Sequence, residues 1–169
     1  IAKHNRNRNK FQNKILNSVS TKKFIMEYLF VYGTLMHDIN SAMSRFLTMN
    51  SSFLGEATMA GYLYDIGQYP GAVFDPQSSS CVGGHIFHLH DANKVFEVLD
   101  AYEGIDWAHP DQNEYRRELV PIDFQGDQPD CWVYLYNGAI EGLYKISHGN
   151  YHDYIKNNPV HQEFIKSGR

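Results

Sequence analysis

The sequence predicts an α+β domain in which a curled sheet or small barrel carries two or three helices. Three observations favour this fold class: short β-forming runs recur along the chain, only a few segments have helical periodicity, and strands and helices do not alternate regularly as in a βαβ fold. The 169 residues, 43% of them hydrophobic, can close one sizeable core but hardly two. We therefore expect one domain, spanning residues 26–169.

The first 25 residues differ in charge from the rest of the chain. They hold seven of the fifteen Lys and Arg residues and no Asp or Glu. The remainder has eight basic against nineteen acidic residues, a formal charge of −11, which argues against a nucleic-acid-binding body. Apolar residues at every fourth position from Phe11 to Val19 would allow an amphipathic, transit-like helix, while disorder or a true start at Met26 are alternatives. We expect residues 1–25 to be a basic leader outside the fold.

The first half of the domain is predicted to contain a strand, a helix and three further strands. The strand ends at Gly33 after a continuous apolar run, which is typical of a strand buried on both faces. Asn40 or Ser41 can cap the helix, and the turn-forming GQYPG separates the second strand from the third. The predicted ranges, in order, are 28–32, 41–49, 57–65, 71–75 and 82–90.

The second half is predicted to hold a helix, two strands and a short terminal helix. Asp91 caps the first helix and Gly104 follows its end, so the helix ends on Glu103. Strands are expected over residues 114–122 and 131–136. The pair Asn137-Gly138 then favours a hairpin-like turn, and a short helix should start near Asn150.

Glu103 is the strongest candidate for acid/base chemistry. It stands at the C-terminal end of a helix, where the macrodipole opposes ionisation, and Tyr102, Ile105 and Trp107 could desolvate it. Both effects would raise its pKa toward the range in which a carboxyl can take and return a proton. The alternative is an exposed Glu in a loop. Glu141, which lies in polar surroundings, is the weaker candidate.

Other reactive residue types give no comparable pattern. Cys81 and Cys131 are fifty residues apart and each lies in or beside a strand-like run, so both are expected to pack as buried thiols. The segment HIFHLH places two histidines on one strand face, but no third ligand has a convincing spacing, and we expect no metal site. No nucleophile elbow or phosphate-binding loop occurs. No apolar run approaches the roughly 20 residues of a membrane span.

The loop after the first strand is the second clue. A Gly followed by Thr at the end of a buried strand leaves backbone N–H groups unpaired, and such a group of amides suits a carboxylate or a developing oxyanion. The alternative is an ordinary turn between a strand and a loop.

These residues resemble the gamma-glutamyl cyclotransferase-like superfamily, which includes the gamma-glutamylamine cyclotransferases and the plant avirulence-induced-gene-like (AIG2-like) proteins. The resemblance extends in order over nearly all of residues 26–157. Its segments are FVYGTL, GYLYDIGQYPG, VGGHIFHLHD, VLDAYEG, YRRELVPI, CWVYLYNG and ISHGNYHDYI. It implies a single-domain compact mixed β-barrel with flanking helices.

The resemblance also implies site residues and a reaction. Glu103 matches the family's acid/base, and the matching loop binds the glutamyl head of the substrate. We further expect Tyr115, in the YRR match, to face the pocket as a positioning residue. The implied reaction releases 5-oxoproline and a free amine from a gamma-glutamylamine or related amide, without cofactor or metal. The loop residues are Tyr32, Gly33, Thr34 and Leu35.

Two departures from the family pattern keep an alternative open. His85 stands where many relatives carry an acidic residue, and the loop over residues 106–113 is long. A non-catalytic small-molecule-binding module of the same fold is therefore the second hypothesis, and nucleic-acid binding through the basic leader is the third. We expect a small-molecule gamma-glutamyl partner, no nucleic acid and no membrane, and a cytoplasmic location unless residues 1–25 direct import into an organelle. The sequence does not indicate the oligomeric state.

Overall fold

The computed structural model describes residues 27–167, so the leader predicted for residues 1–25 lies outside the described residues. Seven strands and four α-helices are present in this range, together with two short 3₁₀ segments, Pro110–Gln112 and Ser147–Gly149. The strands are β1 Tyr28–Val31, β2 Ser51–Asp65, β3 Pro70–Phe74, β4 Cys81–Leu89, β5 Tyr115–Pro121, β6 Asp130–Tyr136 and β7 Tyr144–Lys145. The helices are α1 Ala42–Asn50, α2 Ala92–Tyr102, α3 Tyr151–Ile155 and α4 Pro159–Ser167.

The strands form a nearly closed sheet with the order β3-β2-β4-β1-β6-β5, and β7 pairs with β2. All neighbouring strands are antiparallel except β1 and β6, which are parallel. The predicted mixed β-barrel with flanking helices is therefore confirmed. Strand β3, at one end of the order, lies beside β6, because a side-chain atom added at Gly71 would meet Tyr136 at 2.9 Å.

Two tyrosine hydroxyls join β3 to the opposite part of the sheet. The Tyr32 hydroxyl, just after β1, donates to the carbonyl of Tyr134 in β6 at 2.6 Å and accepts from the N–H of Ala72 in β3 at 3.2 Å. The Tyr115 hydroxyl in β5 donates to the carbonyl of Pro70 at 2.8 Å. Side chains thus replace the backbone pairing that a fully closed barrel would have at this seam.

Helix α2 follows the sequence prediction in detail. Asp91 caps its N-terminus by accepting from the N–H of Lys94, and Val95 and Leu99 are fully buried against the sheet. The helix runs to Tyr102 with Glu103 as its C-terminal cap, and Gly104 then takes a φ of +67°, a conformation that favours glycine. The predicted stop is confirmed, and it fixes where the Glu103 side chain begins. Likewise, Ser41 rather than Asn40 caps α1.

One strand boundary and one turn were predicted wrongly. Strand β2 begins at Ser51, six residues before the predicted start, and pairs with β4 from there. A bulge between Phe53 and Gly55 shifts the register and so hides the alternation expected of a strand. The pair Asn137-Gly138 makes no hairpin, since β6 continues to β7, which pairs with β2. Neither residue has the positive φ that a type I′ turn requires.

The C-terminal part contains two helices where one was predicted. Asn150 caps α3 by accepting from the N–H of Asp153, as expected for a helix starting near this residue. The chain then reaches Pro159, which disfavours helix in the residue before it but starts α4 in its own first turn. Within residues 27–167, no helix has both the length and the apolar character needed to cross a lipid bilayer.

One prediction about the cysteines was also wrong. Cys131 in β6 is buried as expected, and burial raises the pKa of its thiol to about 12. Cys81 is exposed, because it is the first residue of β4 and the strand alternation turns the next residue, Val82, into the core instead.

Candidate active site

A cavity of about 250 Å³ opens at the barrel seam, where β1, β3 and β5 come together with the end of α2. It holds all six residues predicted as site residues. Its lining consists of Phe30, Val31, Tyr32, Gly33, Thr34, Leu35, Tyr69, Pro70, Tyr102, Glu103, Glu114, Tyr115, Tyr134 and Phe164. The fold therefore brings together a loop, a helix end and a strand that are far apart in the sequence, although the role of each residue stays a prediction.

The loop after β1 forms the inner end of this cavity. The backbone N–H groups of Gly33, Thr34 and Leu35 donate no hydrogen bond to any of residues 27–167, so sheet pairing does not consume them. The loop is held by other atoms: the Gly33 carbonyl accepts from the N–H of Met36 at 3.0 Å, and the Thr34 carbonyl accepts from the Ser41 hydroxyl at 2.8 Å. Amides that are fixed but unpaired are suited to an anionic oxygen.

Gly33 is required by close packing rather than by an unusual backbone angle. A side-chain atom added there would lie 2.9 Å from Cγ of Pro70, which also lines the cavity. Any other residue would therefore displace either Pro70 or the loop itself.

The hydroxyls of Tyr32 and Tyr115 form hydrogen bonds to backbone groups at the seam of the barrel. The Tyr32 hydroxyl bonds to the backbone of β3 and β6, and burial raises its pKa far above the usual range. The Tyr115 hydroxyl donates to the Pro70 carbonyl, and burial raises its pKa as well. Both residues shape the cavity wall, and the positioning role of Tyr115 stays a prediction.

Glu103 lies in the cavity at the C-terminal end of α2. Burial raises the pKa of its carboxyl to about 8, with further contributions from the negative charges of Glu114 and Asp100. The pKa of Glu103 is therefore raised, as predicted, but one of the residues predicted to bury it does not do so. Trp107 is 62% exposed, and its ring lies 5.5 Å from the guanidinium of Arg117, away from the cavity.

Asp100 is held in place by two partners on one side of α2. Its Oδ1 lies 3.2 Å from Nε of Arg117 and accepts from the Tyr134 hydroxyl at 2.6 Å. The Arg117 guanidinium also stacks 3.7 Å from the ring centre of Phe96. Because Asp100 is one helical turn before Glu103, these contacts hold the Asp100 carboxylate near the candidate acid/base.

The outer end of the cavity contains three side chains that the sequence did not indicate. The Tyr69 hydroxyl donates to Oε2 of Glu114 at 2.8 Å, and the rings of Tyr69 and Phe164 lie 5.0 Å apart. Tyr69 belongs to the turn GQYPG, Glu114 precedes β5, and Phe164 lies in the unpredicted helix α4. No pattern in the sequence relates these three positions, since only the closure of the barrel and the docking of α4 bring them together.

The two departures from the family pattern lie outside this cavity. The His85 imidazole accepts from the N–H of His37 at 3.0 Å and lines a separate surface groove with Asp38. The loop over residues 106–113 is closed on itself, since Asp106 and Asn113 are linked by their backbone and side-chain groups at 3.0 and 3.2 Å. Among residues 27–167 no group of three or more His, Cys, Asp or Glu side chains is arranged to hold a metal ion.

Comparisons with known proteins identify a family and relatives that match about three quarters of this chain. The sequence profile of the family described as "Gamma-glutamyl cyclotransferase, AIG2-like" matches residues 29–153. The "Gamma-glutamylcyclotransferase family protein YtfP" of Escherichia coli (strain K12) is 30% identical over 126 residues, which cover 74% of this chain and 96% of that protein.

Solved structures show the same fold. The crystal structure of an AIG2-like protein from Mus musculus superimposes with a TM-score of 0.58 at 24% identity, covering 75% of this chain and 88% of the mouse chain. The solution structure of YtfP from Escherichia coli superimposes with a TM-score of 0.51 at 25% identity, covering 76% and 98% of the two chains. By its sequence and its fold, the chain belongs to the gamma-glutamyl cyclotransferase, AIG2-like family.

Proposed function

We propose that this protein is a gamma-glutamyl cyclotransferase that releases 5-oxoproline and a free amine from a gamma-glutamylamine or related gamma-glutamyl amide. One observation carries the proposal: the carboxyl of Glu103, with its raised pKa, shares a cavity with the unpaired amides of the loop after β1. The cavity of about 250 Å³ can take a glutamyl group, and the family to which the chain belongs supports the same reaction class.

The loop amides would bind an anionic oxygen of the glutamyl group. The N–H groups of Gly33, Thr34 and Leu35 have no acceptor among the described residues, so a ligand oxygen would complete their hydrogen bonds without breaking any. A bound glutamyl chain would then be folded against Tyr32 and Tyr115, whose hydroxyls are fixed by the seam. Such fixation favours cyclisation, because the nucleophile and the carbonyl belong to one molecule and need only be held in the right geometry.

In the reaction, the α-amine of the glutamyl group attacks its own γ-carbonyl carbon. The Glu103 carboxylate first takes one proton from the α-ammonium group, which frees the amine to attack, and passes it to the amide nitrogen as a C–N bond closes the five-membered lactam. It then takes the second proton from the ring nitrogen and passes it to the departing amine as the original amide C–N bond breaks. The two protons that the α-ammonium nitrogen loses on becoming a lactam N–H end on the amine, which leaves as an ammonium ion. Glu103 is restored as a carboxylate.

The pKa of Glu103 is matched to this proton transfer. The α-amino group at the end of a peptide has a pKa of about 8, and the free α-carboxylate beside the amine of a glutamyl group raises that pKa further. Burial raises the pKa of Glu103 to about 8, so a proton passes from the α-ammonium group to Glu103 at a much smaller cost than to an ordinary carboxyl. A carboxyl with an ordinary pKa would be several units too acidic to accept it.

The test is an assay for 5-oxoproline over a panel of gamma-glutamyl compounds, namely gamma-glutamyl alkylamides, aminoalkylamides and amino acids. We expect release from at least one class, and release slowed by roughly 10²- to 10⁴-fold in a variant carrying Glu103→Gln. If the wild-type protein binds these compounds and releases 5-oxoproline from none of them, the cyclotransferase proposal is wrong and the chain is a binding module of the same fold.

A further inference from the structure

The outer end of the cavity is built to recognise the part of the substrate that leaves. We infer that Tyr69, Glu114 and Phe164 form a leaving-group subsite that selects gamma-glutamyl amides whose amine carries a second positive charge and no carboxylate. The inference rests on the proposed function and deepens it, since it names the class of amine and the residues that select it. Three observations carry it: the charge of the lining, the arrangement of the three side chains, and the origin of Phe164.

The charge of the lining is negative. Glu103 and Glu114 are carboxyl groups, and none of the described residues that line the cavity is Lys, Arg or His. An ammonium group at the outer end would therefore meet a carboxylate. A carboxylate on the leaving group, as in a gamma-glutamyl amino acid, would lie near Glu114 without a lining cation to compensate it.

Glu114 is oriented for such a contact. Tyr69 donates to Oε2 of Glu114, which fixes the carboxylate, while Oε1 has no hydrogen-bond partner among residues 27–167. Glu114 is solvent-exposed at the cavity mouth, so it can meet a charged group without the cost of full desolvation. One carboxylate oxygen is thus held by the protein and the other is available to a ligand.

Aromatic rings adjoin this carboxylate. The rings of Tyr69 and Phe164 are 5.0 Å apart and tilted by 53°, and the rings of Tyr69 and Tyr115 are 6.4 Å apart. Faces of Phe and Tyr attract an ammonium group through the ring quadrupole, and the attraction adds to that of a nearby carboxylate. The same rings can pack against the methylene groups that join the two nitrogens of a diamine.

Phe164 comes from a segment outside the family match, which ends at residue 153. It lies in α4, and α4 is fixed to β2 by a buried histidine: the His161 imidazole is fully buried and contacts Oδ1 of Asp65 at 3.1 Å and the Tyr151 hydroxyl at 3.1 Å. The aromatic wall therefore includes a side chain from a docked helix outside the matched segment. It is placed where the leaving group exits, as a specificity element would be.

The experiment compares three substrates of similar length. These are the mono-gamma-glutamyl amide of 1,4-diaminobutane, the gamma-glutamyl amide of n-pentylamine, which lacks the second charge, and gamma-glutamylalanine, whose leaving group carries a carboxylate. We expect kcat/KM for the diamine derivative to exceed that for the pentylamide by roughly 5- to 30-fold, and gamma-glutamylalanine to be the poorest. Glu114→Gln should bring the ratio of diamine derivative to pentylamide close to one, and Phe164→Leu should lower it by roughly 2- to 5-fold.

A matched control is Glu118→Gln on the same strand. Glu118 pairs with Arg116 and does not line the cavity, so this variant should keep the wild-type ratio. The inference is overturned if the wild-type enzyme turns over the pentylamide or gamma-glutamylalanine at least as well as the diamine derivative, or if Glu114→Gln leaves the ratio unchanged. Either result leaves the cyclotransferase proposal standing.

Failure of the proposed function gives a different result. If no compound yields 5-oxoproline, calorimetric binding of the same three compounds replaces turnover as the readout. Tighter binding of the diamine derivative, lost in Glu114→Gln, would support the subsite without catalysis. Equal binding of the diamine derivative and the pentylamide would overturn it.

Discussion

The two ends of the cavity are built from different kinds of groups. The inner end presents backbone N–H groups of the loop after β1 and the buried carboxyl of Glu103, all within the segment that matches the family. The outer end presents side chains, and one of them, Phe164, comes from a helix beyond that segment. In the proposed function, the backbone groups bind the glutamyl part that all substrates share, and the side chains contact the leaving amine, which differs between substrates. The proposed chemistry is thus assigned to the inner end, and the proposed selection of the leaving amine to the outer end.

Glu103→Gln, at the inner end, is expected to cause the largest loss of activity. Glutamine keeps the shape but cannot exchange the proton, so kcat should fall by roughly 10²- to 10⁴-fold while the fold is kept. The measurement is the rate of 5-oxoproline release, with circular dichroism as the check of folding. Glu141→Gln, at an exposed position outside the cavity, is the control and should change little. Near-normal turnover in Glu103→Gln would remove Glu103 from the mechanism.

Gly33→Val tests whether the loop amides bind the substrate. The added side chain would collide with Pro70 and move the loop, so kcat/KM should fall by roughly 10- to 100-fold, mainly through KM. Gly83→Ala is the matched control, because a side-chain atom there meets only a backbone oxygen at 3.8 Å. A folded Gly33→Val protein with wild-type KM would show that these amides do not bind the glutamyl group.

The pH dependence of kcat/KM tests whether Glu114 at the outer end affects the pKa of Glu103 at the inner end. Since the reaction needs Glu103 as a carboxylate and its pKa is about 8, kcat/KM should rise with pH and level off above about pH 8. The charge of Glu114 helps to raise that pKa, so in Glu114→Gln the acid limb should move to lower pH. The profile of the pentylamide substrate is the suitable measurement. An acid limb near pH 4.5 in the wild-type enzyme would contradict the environment assigned to Glu103.

Tyr115→Phe should have the smallest effect. The change keeps the ring and removes one hydrogen bond to the Pro70 carbonyl, which costs about 1 kcal/mol and leaves β3 less firmly held at the seam. We expect a loss of stability of this size by denaturant unfolding and a fall in kcat of roughly 2- to 10-fold. Wild-type kcat and stability together would exclude the positioning role.

Local patterns in the sequence predicted the parts of the fold that depend on neighbouring residues. The end of α2 at Glu103 follows from Asp91, an apolar helix face and Gly104, all within fourteen residues. The start of β2 could not be predicted in this way, because the bulge at Phe53 interrupts the alternation on which strand prediction depends. Helix α4 was missed since Pro159 separates it from α3.

The site residues likewise divide into those with a local signal in the sequence and those without one. Gly33 and Glu103 each carry a local signal, a glycine after a buried strand and a carboxyl at a helix end. Tyr69, Glu114 and Phe164 carry none, because their proximity depends on the long-range closure of the barrel and the docking of α4. One predicted source of desolvation was wrong, since Trp107 packs toward Arg117, whereas Tyr102 lines the cavity together with Glu103 as predicted.

The raised pKa of Glu103 also has a consequence for the thermodynamics of folding. In the unfolded chain this carboxyl ionises near the ordinary glutamate pKa of 4.5, whereas in the folded chain it keeps its proton up to about pH 8. The folded state therefore binds one more proton than the unfolded state between these values, and the free energy of unfolding decreases as the pH rises through them. Glu103→Gln removes this linkage, so the variant should melt at a higher temperature than the wild-type protein at pH 8, and the difference should shrink as the pH falls toward 4.5.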